Sequence, residues 1–135
     1  MREVTLHYHL FLPVLLSFFF LLLLCYKRKS FLAKTNQSLF MATVFFFALY
    51  LLIVGRALYL DIFLQWELNK FDTDKNGFFT GNEITEEQQL AMKKLVSDTG
   101  RNFSFIVGFV FSFIAAAILF LISFVLTKIK KSITH

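Results

Sequence analysis

Cysteine is nearly absent. The single one, Cys25, excludes an intrachain disulfide. It lies in the apolar run "LLLLCY", where a free thiol behaves as a small hydrophobe. Leu24 occupies the place where a lipoprotein cleavage site needs a small residue, so lipidation is not expected. A nucleophile–base–acid set is missing too, and the chain is not expected to be an enzyme. Histidine is scarce: His7 and His9 stand in "LHYH" near the N-terminus and His135 ends the chain. None falls within the long apolar runs, which argues against haem ligation there. Glu86 and Glu87 are adjacent acids suited to the first turn of a helix, whose dipole favours them.

Charge is missing from three long runs. Leu10 to Tyr26 and Leu39 to Gly55 carry none, and neither does Phe103 to Thr127. Each approaches or exceeds the roughly 20 residues that cross a bilayer. The chain is 57% hydrophobic, against about 45–50% in soluble domains, with 20 phenylalanines among its 135 residues. These observations predict an all-α, integral membrane protein of three helices. The expected spans are 10–26, 39–63 and 101–127. The first is not a signal peptide by pattern, because "KRK" rather than a small-residue cleavage site follows it. Arg56 and Asp61, at the end of the second span, read as groups at headgroup level, where snorkelling suffices.

Acid is missing from one side only. The connection 27–38 holds Lys27, Arg28, Lys29 and Lys34, and the tail 128–135 holds Lys128, Lys130 and Lys131, with no acid in either. The segments 1–9 and 64–98 carry most of the acids. Lys and Arg beside membrane spans mark the cytoplasmic face. The pattern predicts a multi-pass cell-membrane protein with its C-terminus in the cytoplasm and its N-terminus and polar segment outside. The net charge of +5 therefore reads as a topology signal, and no nucleic acid partner is expected. The basic segments would also be attracted to the anionic inner leaflet of the lipid bilayer.

Small residues form one ordered pattern. Gly100, Ser104, Gly108, Ser112 and Ala116 recur every fourth residue and so share a helical stripe. Small side chains let a second helix approach closely. The stripe fits a homo-oligomer or partner helix, or packing against the chain's own first two spans.

What the polar segment does contain is a cluster of oxygen ligands, "FDTDKNGFFTGNE", from Phe71 to Glu83. Asp72, Asp74 and Asn76 alternate. Gly77 permits the positive φ of a sharp turn. Phe78 offers a backbone carbonyl, Thr80 a hydroxyl, and Glu83 a carboxylate able to close the shell. A hard cation such as Ca²⁺ takes six to eight oxygens in this manner. The stretch resembles the EF-hand calcium-binding family, matching D-x-[DN]-x-[DN]-G-x₅-E at every fixed position. The resemblance covers residues 64–96. Leu64, Leu68 and Phe71 form an apolar stripe leading into the loop, and Ile84 follows Glu83. It implies a helix–loop–helix between spans two and three, with Ca²⁺ held by Asp72, Asp74, Asn76, Phe78, Thr80 and Glu83.

Two departures from the family matter. "TEEQ" at 85–88 is a capping box of its own, so the outgoing helix is expected to start at Thr85. No second loop follows, although such loops usually come in pairs. No proline or helix-ending signal intervenes from Leu39 to Phe71, which predicts one unbroken helix running into the loop. The expected role is that of an accessory subunit or sensor with a weak calcium site. The alternative is part of an oligomeric ion path guarded by that site. The apolar spans, with only Ser17, Thr43, Tyr50 and the serines of the third, favour the former.

Overall fold

A computed structural model describes residues 4–34 and 36–133. His135 and the outermost parts of both terminal segments lie outside the described residues. Among those described, the regular elements are helices and there is no strand. The order is α1 (Tyr8–Tyr26), α2 (Arg28–Lys34), α3 (Gln37–Asn69), a 3₁₀ turn (Gly81–Glu83), α4 (Glu86–Val96), α5 (Thr99–Asn102) and α6 (Ser104–Ile133). Three stretches are long and apolar enough to cross a membrane: Tyr8–Tyr26, Gln37–Asn69 and, within Glu86–Lys130, the greasy run of α6.

α3 is the central member. It packs along α1 on one side and along α6 on the other, while α1 and α6 scarcely meet. Three helices in one layer cannot bury their apolar side chains, and these do not. Phe18, Phe19, Phe111 and Phe113 are each more than half exposed. A soluble monomer rarely exposes contiguous apolar patches beyond a few hundred Å². The small core consists of Leu10, Tyr50, Val54 and Ala57. Tyr50 also donates a hydrogen bond to the Phe105 carbonyl at 3.0 Å, so its hydroxyl is satisfied inside the apolar layer. At the opposite end, Ser123 Oγ donates to Ser38 Oγ at 2.9 Å.

The boundaries differ from the sequence expectation in two places. The basic connection 27–38 is not all loop. Arg28–Lys34 is helical, as a run of good helix formers without glycine or proline allows. Between them, and as the lack of a stop signal predicts, α3 runs unbroken past residue 63 to Asn69, and its 33 residues give a rod of about 50 Å. The third span starts at Ser104, after a separate turn of helix (Thr99–Asn102) capped by Asp98, whose carboxylate accepts from Arg101 N at 2.9 Å. Its helix continues through the basic residues to Ile133.

The four-residue stripe on α6 has an occupant in the chain itself. Ser104, Gly108, Ser112 and Ala116 are buried, whereas Gly100 is exposed. A β-carbon added at Gly108 would stand 2.9 Å from Ile53 Cγ2 and 3.5 Å from Val54 Cγ2, both on α3. The stripe is the line along which α6 lies against α3.

Candidate metal centre

α3 ends at Asn69, and one further turn carries the chain into the polar loop. Phe71 N donates to the Leu68 carbonyl and Asp72 N to the Asn69 carbonyl, at 3.2 and 3.3 Å. Asp72 thereby sits at the head of the loop, 6% exposed. Its Oδ2 accepts from Gly77 N at 3.1 Å, which folds the loop back over it. Gly77 has φ +85°, and Lys75, two residues before, has φ +60°. A non-glycine residue in the left-handed region costs about 1–2 kcal/mol. The local carboxylates and amides hold it there. Asn76 N and Nδ2 donate to the two oxygens of Asp74 at 3.0 and 2.6 Å, and Phe78 N donates to Asn76 Oδ1 at 2.7 Å.

The 3₁₀ turn brings the far end of the loop back to its start. Glu83 Oε1 accepts from Thr73 N and Thr73 Oγ1, both at 2.7 Å, and from Asp74 N at 3.2 Å. Its Oε2 accepts from Thr80 N at 3.2 Å. The Thr73 hydroxyl first, then the Thr80 amide, and then the Asp74 and Thr73 amides hold the Glu83 carboxyl down to about 2 from its ordinary 4.5. Donors to the ionised form act in this direction.

Carboxylate oxygens of Asp72, Asp74 and Glu83 lie within 4.8 Å of one another. Three negative charges at this spacing repel by roughly 1 kcal/mol per pair even in water. Asp72 Oδ1 is also buried without a hydrogen-bond partner. Both features fit a hard divalent cation among these three residues, and an all-oxygen donor set suits Ca²⁺ or Mg²⁺ rather than a thiophilic metal. Asn76 and Thr80 enter this arrangement as hydrogen-bond partners of Asp74 and Glu83, and Phe78 through its amide on Asn76. Phe78's ring is exposed. The outgoing helix begins as its own cap dictates: Thr85 Oγ1 accepts from Gln88 N at 3.2 Å. α4 then returns along α3, with Gln88 buried in the contact and Met92 and Leu95 half-buried on the same face.

A second polar cluster lies further down α3, and sequence reasoning missed it. Asp61 does not reach out to solvent, as snorkelling would require. It is 1% exposed and surrounded by protein. Its Oδ2 stands 2.6 Å from His7 Nδ1 and accepts from Gln65 Nε2 at 2.9 Å. Its Oδ1 faces Arg101 Nε at 3.2 Å, out of line for a hydrogen bond. Arg101 is 3% exposed in its side chain and donates through Nη2 to the Leu95 carbonyl at the end of α4. Gln65 exchanges two hydrogen bonds with the backbone of Thr5, at 2.7 and 3.0 Å. So His7 is not on a loose end: it caps α1 beside Asp61, and His9 falls in the helix's first turn with its ring 5.6 Å from Phe105. Arg56, by contrast, is exposed as expected. The available signal was an acid near the end of one apolar helix and a base just before the next, each needing a partner if buried. Comparison with protein-family models, with curated proteins and with solved structures finds no match to this chain.

Proposed function

We propose that this chain is a multi-pass membrane protein that binds Ca²⁺ weakly through an EF-hand-like loop, Phe71–Glu83, as a structural or regulatory accessory subunit. The observation that carries the reading is the convergence of Asp72, Asp74 and Glu83 within 4.8 Å around a buried, unpartnered Asp72 oxygen. Asn76, Phe78 and Thr80 complete the proposed oxygen shell by side chain, carbonyl and hydroxyl, the last with room for a water.

Several features support a weak site. Only three carboxylates are present, and Lys75 lies inside the loop. Glu83 Oε1 already accepts three hydrogen bonds, so a cation must compete with those donors for it. These features support a Kd on the order of 10⁻⁴–10⁻³ M, the class of extracellular modules. The surplus of Lys and Arg on the connection 27–38 and the tail supports an extracytoplasmic side for the loop, where calcium is abundant. Tyr59, Phe63 and Trp66 stack up one face of α3, with Lys70 Nζ 4.0 Å from the Trp66 ring. Such aromatics mark the water boundary of a bilayer, with the loop standing beyond it.

Isothermal calorimetry on the detergent-purified chain tests the reading. Wild type takes up one Ca²⁺ with a submillimolar to millimolar Kd. Glu83→Gln loses most of that binding and Thr80→Ala less, because water replaces the hydroxyl. Absence of binding at about 10⁻² M Ca²⁺ would overturn the calcium reading.

A further inference from the structure

An open groove of about 430 Å³ lies between the first turns of α3 and the last turns of α6. It is at the opposite end of α3 from the oxygen-rich loop. α3 and α6 run antiparallel, as the Tyr50–Phe105 and Ser38–Ser123 hydrogen bonds require. Among the described residues, the lining changes character along both helices in the same direction. Toward the middle of the bundle it is apolar, with Met41 from α3 and Leu119, Ile122 and Leu126 from α6. Toward the helix ends it is polar, with Gln37 from α3 and Thr127 and Lys130 from α6. These three polar residues are exposed, so a ligand in the groove reaches them. The charge at this end has one sign. Segments 27–38 and 128–135 hold seven Lys and Arg and no Asp or Glu. The side chain of Asn36 does not cap α3, so the positive end of the helix dipole adds to that sign.

We propose that this groove binds one anionic phospholipid, with its phosphate toward Lys130 and an acyl chain laid along Met41, Leu119 and Ile122. An amphiphile matches a lining that passes from apolar to polar along the bundle axis. A dissolved phosphate would leave the apolar half empty. The sign of the headgroup follows from Lys130, the one charged member of the described lining. An ammonium and a phosphate form charge-assisted hydrogen bonds, which are stronger than neutral ones. The cationic group of a zwitterionic lipid would instead enter a field of its own sign. Gln37 Nε2 supplies a further donor. Thr127 gives its proton to the Ser123 carbonyl at 2.7 Å, so its oxygen is left to accept, which suits a headgroup hydroxyl such as that of phosphatidylglycerol. A second copy of this chain fits less well, because a two-fold pair of spans would set basic end against basic end. The site differs from the diffuse attraction of basic segments to a membrane in having one lipid, one groove and one lysine. It shares no residue with the calcium loop and stands whether or not that loop binds metal.

Native mass spectrometry of the full chain, released from the uncharged detergent tetraethylene glycol monooctyl ether, tests this. The probes are dioleoyl phosphatidylglycerol and dioleoyl phosphatidylcholine, which differ only in the headgroup. The expected result is one saturable phosphatidylglycerol per chain, bound at least about tenfold more tightly than phosphatidylcholine. Lys130→Gln should remove most of that preference. Lys128→Gln should leave it unchanged, because Lys128 Nζ stands 5.3 Å over the Phe124 ring and does not line the groove. Ile122→Trp narrows the apolar half and should weaken phosphatidylglycerol at least about fivefold. Leu126→Trp, at a position 61% exposed, serves the same purpose if Ile122→Trp does not fold. Equal affinity for the two lipids overturns the proposal. Equal losses in Lys128→Gln and Lys130→Gln, with both tryptophan variants silent, show surface attraction alone and overturn it too. A dimer that persists without lipid and that Ile122→Trp breaks gives the groove to a second copy, with the same consequence.

Discussion

Gly108→Ala adds one methyl group at the closest approach of α6 to α3. The new β-carbon would meet Ile53 Cγ2 at 2.9 Å, against 3.4–4 Å for ordinary contact. Ile53 cannot swing aside, because a β-branched residue in a helix has one strongly preferred χ1. The helices must therefore separate by about half an ångström, or Ile53 must leave its rotamer. Overpacking of this kind costs about 1–3 kcal/mol. Alanine returns about 1 kcal/mol of helix propensity. The net expectation is a loss of about 1 kcal/mol. Ile53→Ala removes the opposing methyl, so in that background Gly108→Ala should be neutral or stabilising by up to about 1 kcal/mol. The cycle thus carries a coupling of about 1–2 kcal/mol, above the roughly 0.5 kcal/mol scatter of independent sites. Reversible unfolding in mixed micelles, followed by helical circular dichroism, measures all four corners. Equal effects of Gly108→Ala in both backgrounds would refute the packing argument and turn the stripe away from α3.

Glu83 offers a pH test in calcium-free protein. Its folded pKa is depressed from 4.5 to about 2, so its contribution to loop order is complete above pH 4.5 and is lost as pH falls through about 2. Carbon-13 NMR should find that midpoint, and Thr73→Val should move it up toward 4.5; a wild-type midpoint at 4.5 contradicts the hydrogen bonds. Arg101→Met strands the Asp61 carboxylate in a buried site and should destabilise by about 3–5 kcal/mol, whereas Arg101→Met with Asp61→Leu should recover most of it. Thermal unfolding decides, and a double variant no better than the single one would show that the pair is not the cause. With Cys25 replaced by Ser, Thr99→Cys should react with an impermeant thiol reagent in intact cells and Ser30→Cys should not; the reverse pattern inverts the proposed orientation.

The three apolar helices were legible because charge-free runs of such length have few other uses. The unbroken α3 was legible as well, since nothing between Leu39 and Phe71 stops a helix. So was the start of α4, because Thr85 and Gln88 form a local cap that needs no knowledge of the rest of the fold. The convergence of Asp72, Asp74 and Glu83 was visible for the same reason: residues 72–83 meet through short-range turns. The Asp61 cluster was not. Its partners come from the N-terminal segment and from α5, and such pairings leave no periodicity. Asp61 read alone is an interfacial acid; only the packing of α1 and α4 against α3 encloses it. The place of His7 beside Asp61 was hidden likewise, because the Thr5–Gln65 exchange that holds this segment is a tertiary contact.

The Asp61 network also sets an order of assembly. His7 and Asp61 are 54 residues apart, and Arg101 comes later still. During synthesis, α3 is complete while the carboxylate near its end still lacks its guanidinium. Until Arg101 is made, the carboxylate has no guanidinium to face it, so α1 and α3 alone cannot complete the packing around Asp61. The short α5, made before the last long helix, therefore closes the cluster on the middle one. A chain truncated before Arg101 would keep its first two apolar helices yet leave the Asp61 carboxylate without the guanidinium that faces it.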